Sequence, residues 1–468
     1  MQLPVLFHVR LLSTLICLQL LLLAGNAAAI DRTSEQGEAA ITDPDQECTP
    51  YDYAPVTNQM NSFPEVWEAA KILSDDSAAL AKWNSISANI PTNIPQKVFS
   101  HSGLNVQCSH FQQTQPPPSS YSPSDPDCWW TYGQCTTPKL ADLPPDITAS
   151  PEPSTLGYGF DDGPNCSHNA FYDFLQSQNQ KATFYFIGSN VADFPLEAQR
   201  ALTDGRTNSA DTWSHPYMTT FASEDAFAEL WYCDLLRTIE KMQMIKLVVG
   251  VTPTCWRPPY GDVDDRIRAI ANALGLQTIM WEYDTADASV DGKTITDQTV
   301  VDNYNSFIQT AEGGAFNSTG TILLTHELNN FTMSEAVSFY PQLKSVFQYL
   351  VPVGVSLNKT QPYLETNYSL PTFEQCEFST IQFLELVPGQ NIKLFLDISG
   401  PLTGSRVSPN NTSTTTLQSS TSSASVSPST SAETSSESGA STNSANSVAR
   451  PVYDCALLTA CLVVFFIS

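Results

Sequence analysis

Two adjacent acidic residues stand where a short apolar run meets a turn. The run Leu156-Gly157-Tyr158-Gly159-Phe160 predicts a β-strand, and Gly163-Pro164 predicts a turn. Asp161 and Asp162 lie between the two. Neighbouring carboxylates repel one another, so each needs a stabilising partner. A divalent cation on one carboxylate and a proton on the other would provide two such partners. The alternative is an acidic turn that caps the next helix, because Asp, Gly and Pro are ordinary turn residues.

Two later clusters offer metal ligands and a fixed positive charge. Asp211 and His215 are spaced i, i+4, which places an oxygen and a nitrogen ligand on one face of a helical turn. Arg257 supplies a guanidinium fork ahead of the Pro-rich turn at 258–262. Taken singly, His215 is explained as a hydrogen-bonded turn histidine and Arg257 as half of a surface ion pair.

Two further clusters follow predicted strands. Asp284 and Asp287 come after an apolar run, and His326 ends the run Leu324-Thr325. A histidine paired with an aspartate can donate a proton near neutral pH. The plainer interpretation of the two acids is that they cap loops.

Residues 151–355 alternate between strand and helix patterns, which predicts an α/β fold with a parallel sheet or barrel. In such folds the carboxyl ends of the strands carry the chemistry, and the acidic and histidine clusters stand at strand ends. The predicted strands are Tyr158–Phe160, Ala182–Ile187, Gln277–Tyr283 and Thr321–Thr325. The predicted helices are Ala170–Gln178, Ser223–Met242, Val263–Ala273, Asp297–Ala311 and Met333–Leu350.

Segments on both sides of this region have their own patterns. In the N-terminal segment, 30–150, Pro64 opens an apolar stripe over residues 66–73 that predicts a helix. The pair Trp129-Trp130 either stacks on sugar rings or, as we favour, packs under a disulfide loop. The extension at 356–404 is expected to pack on the central domain and to add a strand at 392–398.

The two ends of the chain carry targeting patterns. Residues 1–29 combine a basic residue, a leucine-rich run and three alanines, which predicts a cleaved secretory signal peptide. The Ser/Thr-rich stretch at 405–446 predicts a disordered, O-glycosylated stalk. Small residues around Asn443 and the short apolar tail within 447–468 predict a GPI-anchor signal, with Asn443 as the attachment residue.

Cysteine content, sequons and charge agree with secretion. Eight of the eleven cysteines lie between the predicted signals, an even number that predicts disulfides, and their spacing contains no CxxC pair of a zinc–thiolate site. The net charge of −27 argues against nucleic-acid binding. The eight cysteines are Cys48, Cys108, Cys128, Cys135, Cys166, Cys233, Cys255 and Cys376. The predicted N-glycosylation sites are Asn165, Asn317, Asn330, Asn358, Asn367, Asn410 and Asn411.

The five clusters, in this order, resemble the motifs of the polysaccharide deacetylases (the NodB-homology family), most closely those of the fungal chitin deacetylases. The resemblance covers about 154–355. It implies a distorted (β/α) barrel and removal of acetyl groups from a polysaccharide with one bound divalent metal, Zn²⁺, Co²⁺ or Mn²⁺.

The resemblance also implies a role for each motif residue. Asp161 would be the general base toward the attacking water, and Arg257 would hold its carboxylate. His326 would be the general acid, held by Asp287, with Asp284 as the second candidate for that task. The implied metal ligands are Asp162, Asp211 and His215. The implied substrate-binding residues are Tyr260, whose backbone amide would face the developing oxyanion, and Leu324, which would line the acetyl-methyl pocket.

Two positions depart from the family pattern. Asp211 stands where relatives usually carry histidine, so the ligand set becomes two carboxylates and one imidazole, which favours harder ions. Ala288 stands where relatives usually carry tryptophan. The acetyl pocket is therefore expected to differ from that of the relatives.

The resulting expectation is a secreted, GPI-anchored enzyme at the outer face of the plasma membrane and in the cell wall. It would convert N-acetylglucosamine units of chitin to glucosamine and release acetate. One alternative is a deacetylase of another wall polysaccharide or of partly deacetylated chitosan. The other is a catalytically weakened, chitin-binding wall glycoprotein, which the Asp211 substitution favours.

Overall fold

A computed structural model of the protein describes residues 30–98, 121–234 and 243–376. Within these ranges no helix is both long enough and apolar enough to cross a membrane. Several predictions concern residues outside the described ranges. They are the signal peptide at 1–29, Cys108, the helix end at 235–242, the strand at 392–398, the stalk, Asn410, Asn411, Asn443 and the GPI signal.

Eight strands in the described ranges form one parallel sheet, and β1 lies at its centre. The first half of β1 pairs with both β7 and β8, and its second half pairs with β2. The strands are β1 (Thr155–Gly163), β2 (Thr183–Phe186), β3 (Thr207–Ala210), β4 (Cys255–Trp256), β5 (Gln277–Thr278), β6 (Tyr283–Asp284), β7 (Thr321–Leu324) and β8 (Tyr349–Pro352).

The sheet is curled into a distorted barrel, as predicted. Its hydrogen-bonded order is β5-β4-β3-β2-β1-β7-β6, so β5 and β6 are its two edges. Only residues 279–282 connect these edges, a reach of at most about 18 Å. The predicted strand Gln277–Tyr283 is therefore two short strands, because the chain crosses from one edge to the other in the middle of that apolar run.

Helices cover the outside of the sheet. The five predicted barrel helices are present in the described ranges, although the last one ends at Val346 because Leu350 belongs to β8. The N-terminal segment contributes α1 (Glu35–Ala39), α2 (Pro44–Glu47), α3 (Ala54–Thr57), α4 (Ser77–Ile86) and α5 (Trp130–Gly133). The barrel contributes α6 (Asn169–Ser177), α7 (Gly188–Asp193), α8 (Pro195–Thr203), α9 (Ser223–Asp234), α10 (Met244–Val249), α11 (Asp265–Ala273), α12 (Asp297–Glu312), α13 (Asn330–Val346) and α14 (Val353–Ser356).

The helix predicted to open at Pro64 is wrong. Residues 64–73 form turns and extended chain, and the first long N-terminal helix is α4, which Asp76 caps. The backbone N–H of Ala70 donates to the Glu229 carboxylate, and that of Leu73 donates to the Tyr232 hydroxyl. These bonds to α9 replace the bonds that a local helix would make, so tertiary contacts override the apolar stripe.

The N-terminal segment is part of the barrel's own core. Phe63 stacks on Trp213 with ring centroids 5.8 Å apart, and a disulfide joins Cys48 to Cys166. A second disulfide joins Cys128 to Cys135. Burial of shared apolar surface and the Cys48–Cys166 cross-link hold residues 30–98 against the sheet. This segment is therefore positioned to contribute side chains to a site at the sheet's edge.

Candidate active site

The predicted site residues meet at the carboxyl edge of the sheet. Most of them line a cavity of about 610 Å³, whereas Arg257 and Asp287 contact residues of that lining. Five of the predicted residues stand in or directly after a strand, so the parallel arrangement brings the strand ends together. Asp161 and Asp162 lie near the carboxyl end of β1, Asp211 follows β3, Arg257 follows β4, and His326 comes two residues after β7.

Arg257 holds the carboxylate of Asp161. Its Nη1 lies 2.6 Å from Asp161 Oδ1, and its guanidinium stacks on the Tyr185 ring at 4.0 Å. Both charged groups are buried. Burial raises the pKa of Asp161 to about 6, although the positive charge of Arg257 opposes this rise. The carboxylate is thus fixed in position and basic enough to accept a proton near neutral pH.

Asp162, Asp211 and His215 form a candidate metal-binding group, in which one ligand atom from each residue lies within 4.8 Å of the others. His215 Nε2 is 3.0 Å from Asp162 Oδ1 and 3.3 Å from Asp211 Oδ2. Ligands about 2.1 Å from one tetrahedral ion lie about 3.4 Å apart, so these separations fit one metal. Asp211 Oδ1 is buried without a hydrogen-bond partner in the described chain, which leaves it available for a cation.

The electrostatics of this group also fit a cation. Burial raises the pKa of Asp211 above its usual value, although the positive charge of His215 opposes this rise. Burial alone would lower the pKa of His215, but Tyr260, Asp162 and Asp211 together raise it well above its usual value. A bound divalent cation would supply the missing positive charge and displace these protons.

A left-handed backbone is found at Asp162, His215 and Tyr260, which line the cavity, and at Ala286, which is close to Asp284 and Ala288 of the lining. Their φ angles are +66° at Asp162, +58° at His215, +58° at Tyr260 and +57° at Ala286. Each such residue costs on the order of 1 kcal/mol, and such strain clusters at functional sites. Asn190 supports the first of them, because its Nδ2 donates to the Asp162 carbonyl at 2.8 Å.

His326 is paired with Asp287. His326 Nδ1 and Asp287 Oδ1 are 2.6 Å apart, and the His326 backbone N–H donates to Asp287 Oδ2 at 3.0 Å. Burial lowers the pKa of His326, but the Asp287 carboxylate outweighs this and the pKa rises to about 10. The carboxylate of Asp284 accepts instead from the Ala286 backbone N–H. Of the two candidate acids, Asp287 is therefore the one in contact with His326.

The two predicted substrate-binding residues also line the cavity. The Tyr260 hydroxyl lies 2.7 Å from His215 Nδ1, on the ring nitrogen opposite the one that faces the carboxylates. This contact orients the imidazole. Leu324 is buried at the end of β7 and supplies an apolar patch next to His326.

Sequence reasoning missed several residues that support the site. Tyr185, under Arg257, sits inside an apolar strand, where nothing distinguishes it from a core residue. Glu229 accepts from the Ser214 backbone N–H and hydroxyl, next to His215. Glu327, the residue after His326, accepts from the Tyr172 hydroxyl and contacts His168. Of these residues, only Glu229 could have been suspected from the sequence, because it is an acidic residue on the apolar, buried face of α9.

The predicted glycosylation sites differ in exposure. Asn317, Asn330, Asn358 and Asn367 are exposed, as a glycan acceptor must be. Asn165 is half-buried at the rim of the cavity, and its Nδ2 donates to the Leu328 carbonyl at 2.7 Å. Glycosylation at the four exposed positions stays a prediction. At Asn165 it would have to break this hydrogen bond.

Comparison with known proteins points to the same family as the motifs. Residues 148–279 match the family described as polysaccharide deacetylase. The chain is 46% identical to chitin deacetylase 2 of Cryptococcus neoformans var. grubii over 349 residues, 73% of this chain and 72% of the relative. It is 40% identical to the chitin deacetylase of Amylomyces rouxii over 332 residues, 70% of this chain and 74% of that one.

Among solved structures, that of the chitin deacetylase of Colletotrichum lindemuthianum is 24% identical, with a TM-score of 0.39. The match covers 45% of this chain and 90% of that one. The assignment rests on the two curated relatives, each of which this chain matches over more than two thirds of its length. The chain therefore belongs to the polysaccharide deacetylase family, in the group of the fungal chitin deacetylases.

Proposed function

We propose that the protein is a metal-dependent chitin deacetylase, which hydrolyses the N-acetyl groups of N-acetylglucosamine units in chitin to give chitosan and acetate. One observation carries this proposal. A buried, arginine-held carboxylate and an aspartate-held histidine flank the Asp162–Asp211–His215 group at one edge of the sheet. Amide hydrolysis requires a base, an acid and a group that stabilises an oxyanion, all close to the same amide bond.

Asp162, Asp211 and His215 would hold one divalent ion, Zn²⁺, Co²⁺ or Mn²⁺. When bound, the metal would act as a Lewis acid and lower the pKa of water. Two carboxylates and one imidazole form a harder donor set than one built from imidazoles, so we expect Mn²⁺ and Co²⁺ to compete well with Zn²⁺.

The chain's own residues would move the protons. Asp161 would accept a proton from the attacking water, and Arg257 would keep the carboxylate aimed while it does so. His326 would protonate the amine nitrogen as the C–N bond breaks, and Asp287 would keep the imidazole charged until then. Tyr260 would offer its backbone amide to the oxyanion, and Leu324 would contact the acetyl methyl group.

The proposed cellular location rests on the sequence patterns of residues 1–29 and 405–468. We infer secretion directed by residues 1–29 and attachment to a GPI lipid at Asn443, with the Ser/Thr-rich stalk at 405–446 as a spacer. The outer face of the plasma membrane would then present the catalytic domain to chitin in the cell wall. The eight cysteines between the predicted signals and the seven sequons agree with an extracellular protein.

Acetate release from N-acetylglucosamine oligomers tests the proposed activity. Wild-type protein should release acetate and lose this activity with a chelator. Asp161→Asn removes the base but none of the three ligands, so we expect an at least about 10²-fold fall in kcat with unchanged metal content. Partly deacetylated chitosan and an O-acetylated polysaccharide serve as parallel substrates. A metal-loaded wild-type protein that binds chitin and releases no acetate would identify a chitin-binding glycoprotein instead.

The pH dependence of kcat tests the acid. The pKa of His326 is raised to about 10, so the imidazolium should persist at pH 8 and activity should fall only as the pH approaches 10. Asp287→Asn removes the charge that raises this pKa, while the burial that lowers it remains. We expect the alkaline limb of the profile to move down by at least about one pH unit. Asp284→Asn is the matched control, and an equal shift in both variants would contradict the assignment of Asp287.

Release from membranes tests the anchor. A phospholipase specific for GPI should release the mature protein from isolated membranes, because only a lipid would hold it there. A variant that ends after residue 446 should be secreted in free form. Protein that stays with the membranes after lipase treatment would overturn this inference while leaving the proposed activity untouched.

A further inference from the structure

The two adjacent tryptophans of the N-terminal segment have different environments. Trp129 is fully buried, and its Nε1 donates to Asp262 Oδ1 at 2.8 Å. Trp130 is half-buried and lines the active-site cavity. Its ring lies 4.9 Å from that of Trp281, between centroids. Trp129 thus packs under the disulfide loop, as favoured from the sequence, whereas Trp130 presents an aromatic surface to the cavity.

The loop that carries Trp130 is fixed. The Cys128–Cys135 disulfide closes it, and Arg268 donates to the carbonyl oxygens of both cysteines, at 2.6 and 2.9 Å. The Trp130 ring also lies directly on Gly261, where even a Cβ atom would come within 2.4 Å of it. The aromatic surface is therefore held in place before any ligand arrives, which lowers the entropic cost of binding.

Trp67 supplies a second aromatic surface to the same cavity. Its backbone N–H donates to Ser189 Oγ and its Nε1 donates to Asp193 Oδ2, both at 2.9 Å. These two contacts fix Trp67 on α7, which follows β2. Its φ of +65° shows that the backbone is bent there against its preference.

In the strand order, the segments that hold the two tryptophans follow the strands on either side of β3, and two of the three candidate metal ligands come after β3. Trp67 sits on the helix after β2, and Trp130 sits on Gly261, after β4. Asp211 and His215 follow β3, which lies between those strands. Adjacent strands are about 4.8 Å apart, so β2 and β4, whose following segments hold the two tryptophans, lie about 10 Å apart in the sheet.

We propose that Trp130 and Trp67 bind the sugar rings on either side of the N-acetylglucosamine unit that is deacetylated. A pyranose ring has an apolar face of C–H groups that packs on an aromatic ring, and fixed aromatic walls with a few polar groups are typical of ligand sites. Both residues lie outside the family-matched range 148–279. The N-terminal segment therefore makes the site selective for oligomers over single sugars. This inference rests on the proposed function.

The test is the dependence of kcat/KM on chain length. Wild-type kcat/KM should rise from the dimer to the trimer of N-acetylglucosamine, which can fill the positions on both sides of the reacting unit, and should change little from the trimer to the hexamer. In Trp130→Leu, which keeps apolar bulk on Gly261, and in Trp67→Leu, the loss should grow from the dimer to the trimer and be about ten-fold on the hexamer, mostly through KM. Trp130→Phe should retain more of the gain than Trp130→Leu because it keeps a ring.

Trp83→Leu is the matched control. Trp83 is half-buried and packs on Phe227, 5.4 Å away between ring centroids, and it is not among the residues that line the cavity. Its substitution should leave the length profile unchanged. Variants with a wild-type length profile and unchanged KM on the hexamer would overturn the proposal.

A binding measurement separates this proposal from the proposed function. In the Asp161→Asn background, calorimetry should give a hexamer Kd about ten-fold weaker when Trp130→Leu is added. If the wild-type protein releases no acetate but this difference in Kd remains, the proposed function fails and the aromatic site stands. If acetate is released and the two Kd values are equal, the aromatic site fails alone.

Discussion

The site depends on the burial of three carboxylates at one edge of a parallel sheet. Asp161, Asp162 and Asp211 are 5%, 8% and 2% exposed, so water screens their mutual repulsion poorly. Arg257 compensates one of them through a direct ion pair. The other two both contact His215, and Asp211 keeps one buried oxygen without a hydrogen-bond partner in the described residues. A divalent cation held by this group would balance the charges, and the proposed base, the proposed acid and the left-handed residues lie around the group.

The fold supplies this arrangement through its strand order. β1 lies at the centre of the sheet, and the Asp161 backbone pairs with that of His326, so the proposed base and the proposed acid stand side by side. Asp211 and Arg257 follow β3 and β4, which lie on the side of β1 opposite β7. The N-terminal segment then completes the cavity, because it shares the barrel's core and extends Trp67 and Trp130 to the rim. The proposed catalytic residues and the two tryptophans that line the cavity thus come from different parts of the chain.

The central fold could be predicted where apolar periodicity and strand-end polar residues agree. β1 with Asp161 and Asp162, and β7 with His326, are such places. The polar strand β3, Thr207–Ala210, has no apolar run to reveal it, although Asp211 after it was recognised from its spacing to His215. The helix expected at Pro64 failed because Glu229 and Tyr232, about 160 residues away in sequence, capture its backbone N–H groups. The different environments of Trp129 and Trp130 likewise depend on contacts with Asp262 and Gly261 that local sequence does not contain.

Metal content of Asp211 variants tests the central claim most directly. Elemental analysis and metal titration should give one tightly bound ion per wild-type chain. Asp211→Ala removes an oxygen ligand, so affinity should fall at least about ten-fold. Asp211→His should keep the ion and shift its preference toward zinc over manganese, because the site loses one negative charge and gains an imidazole. Wild-type stoichiometry and affinity in a folded Asp211→Ala protein would contradict the account, since the third ligand would then lie elsewhere.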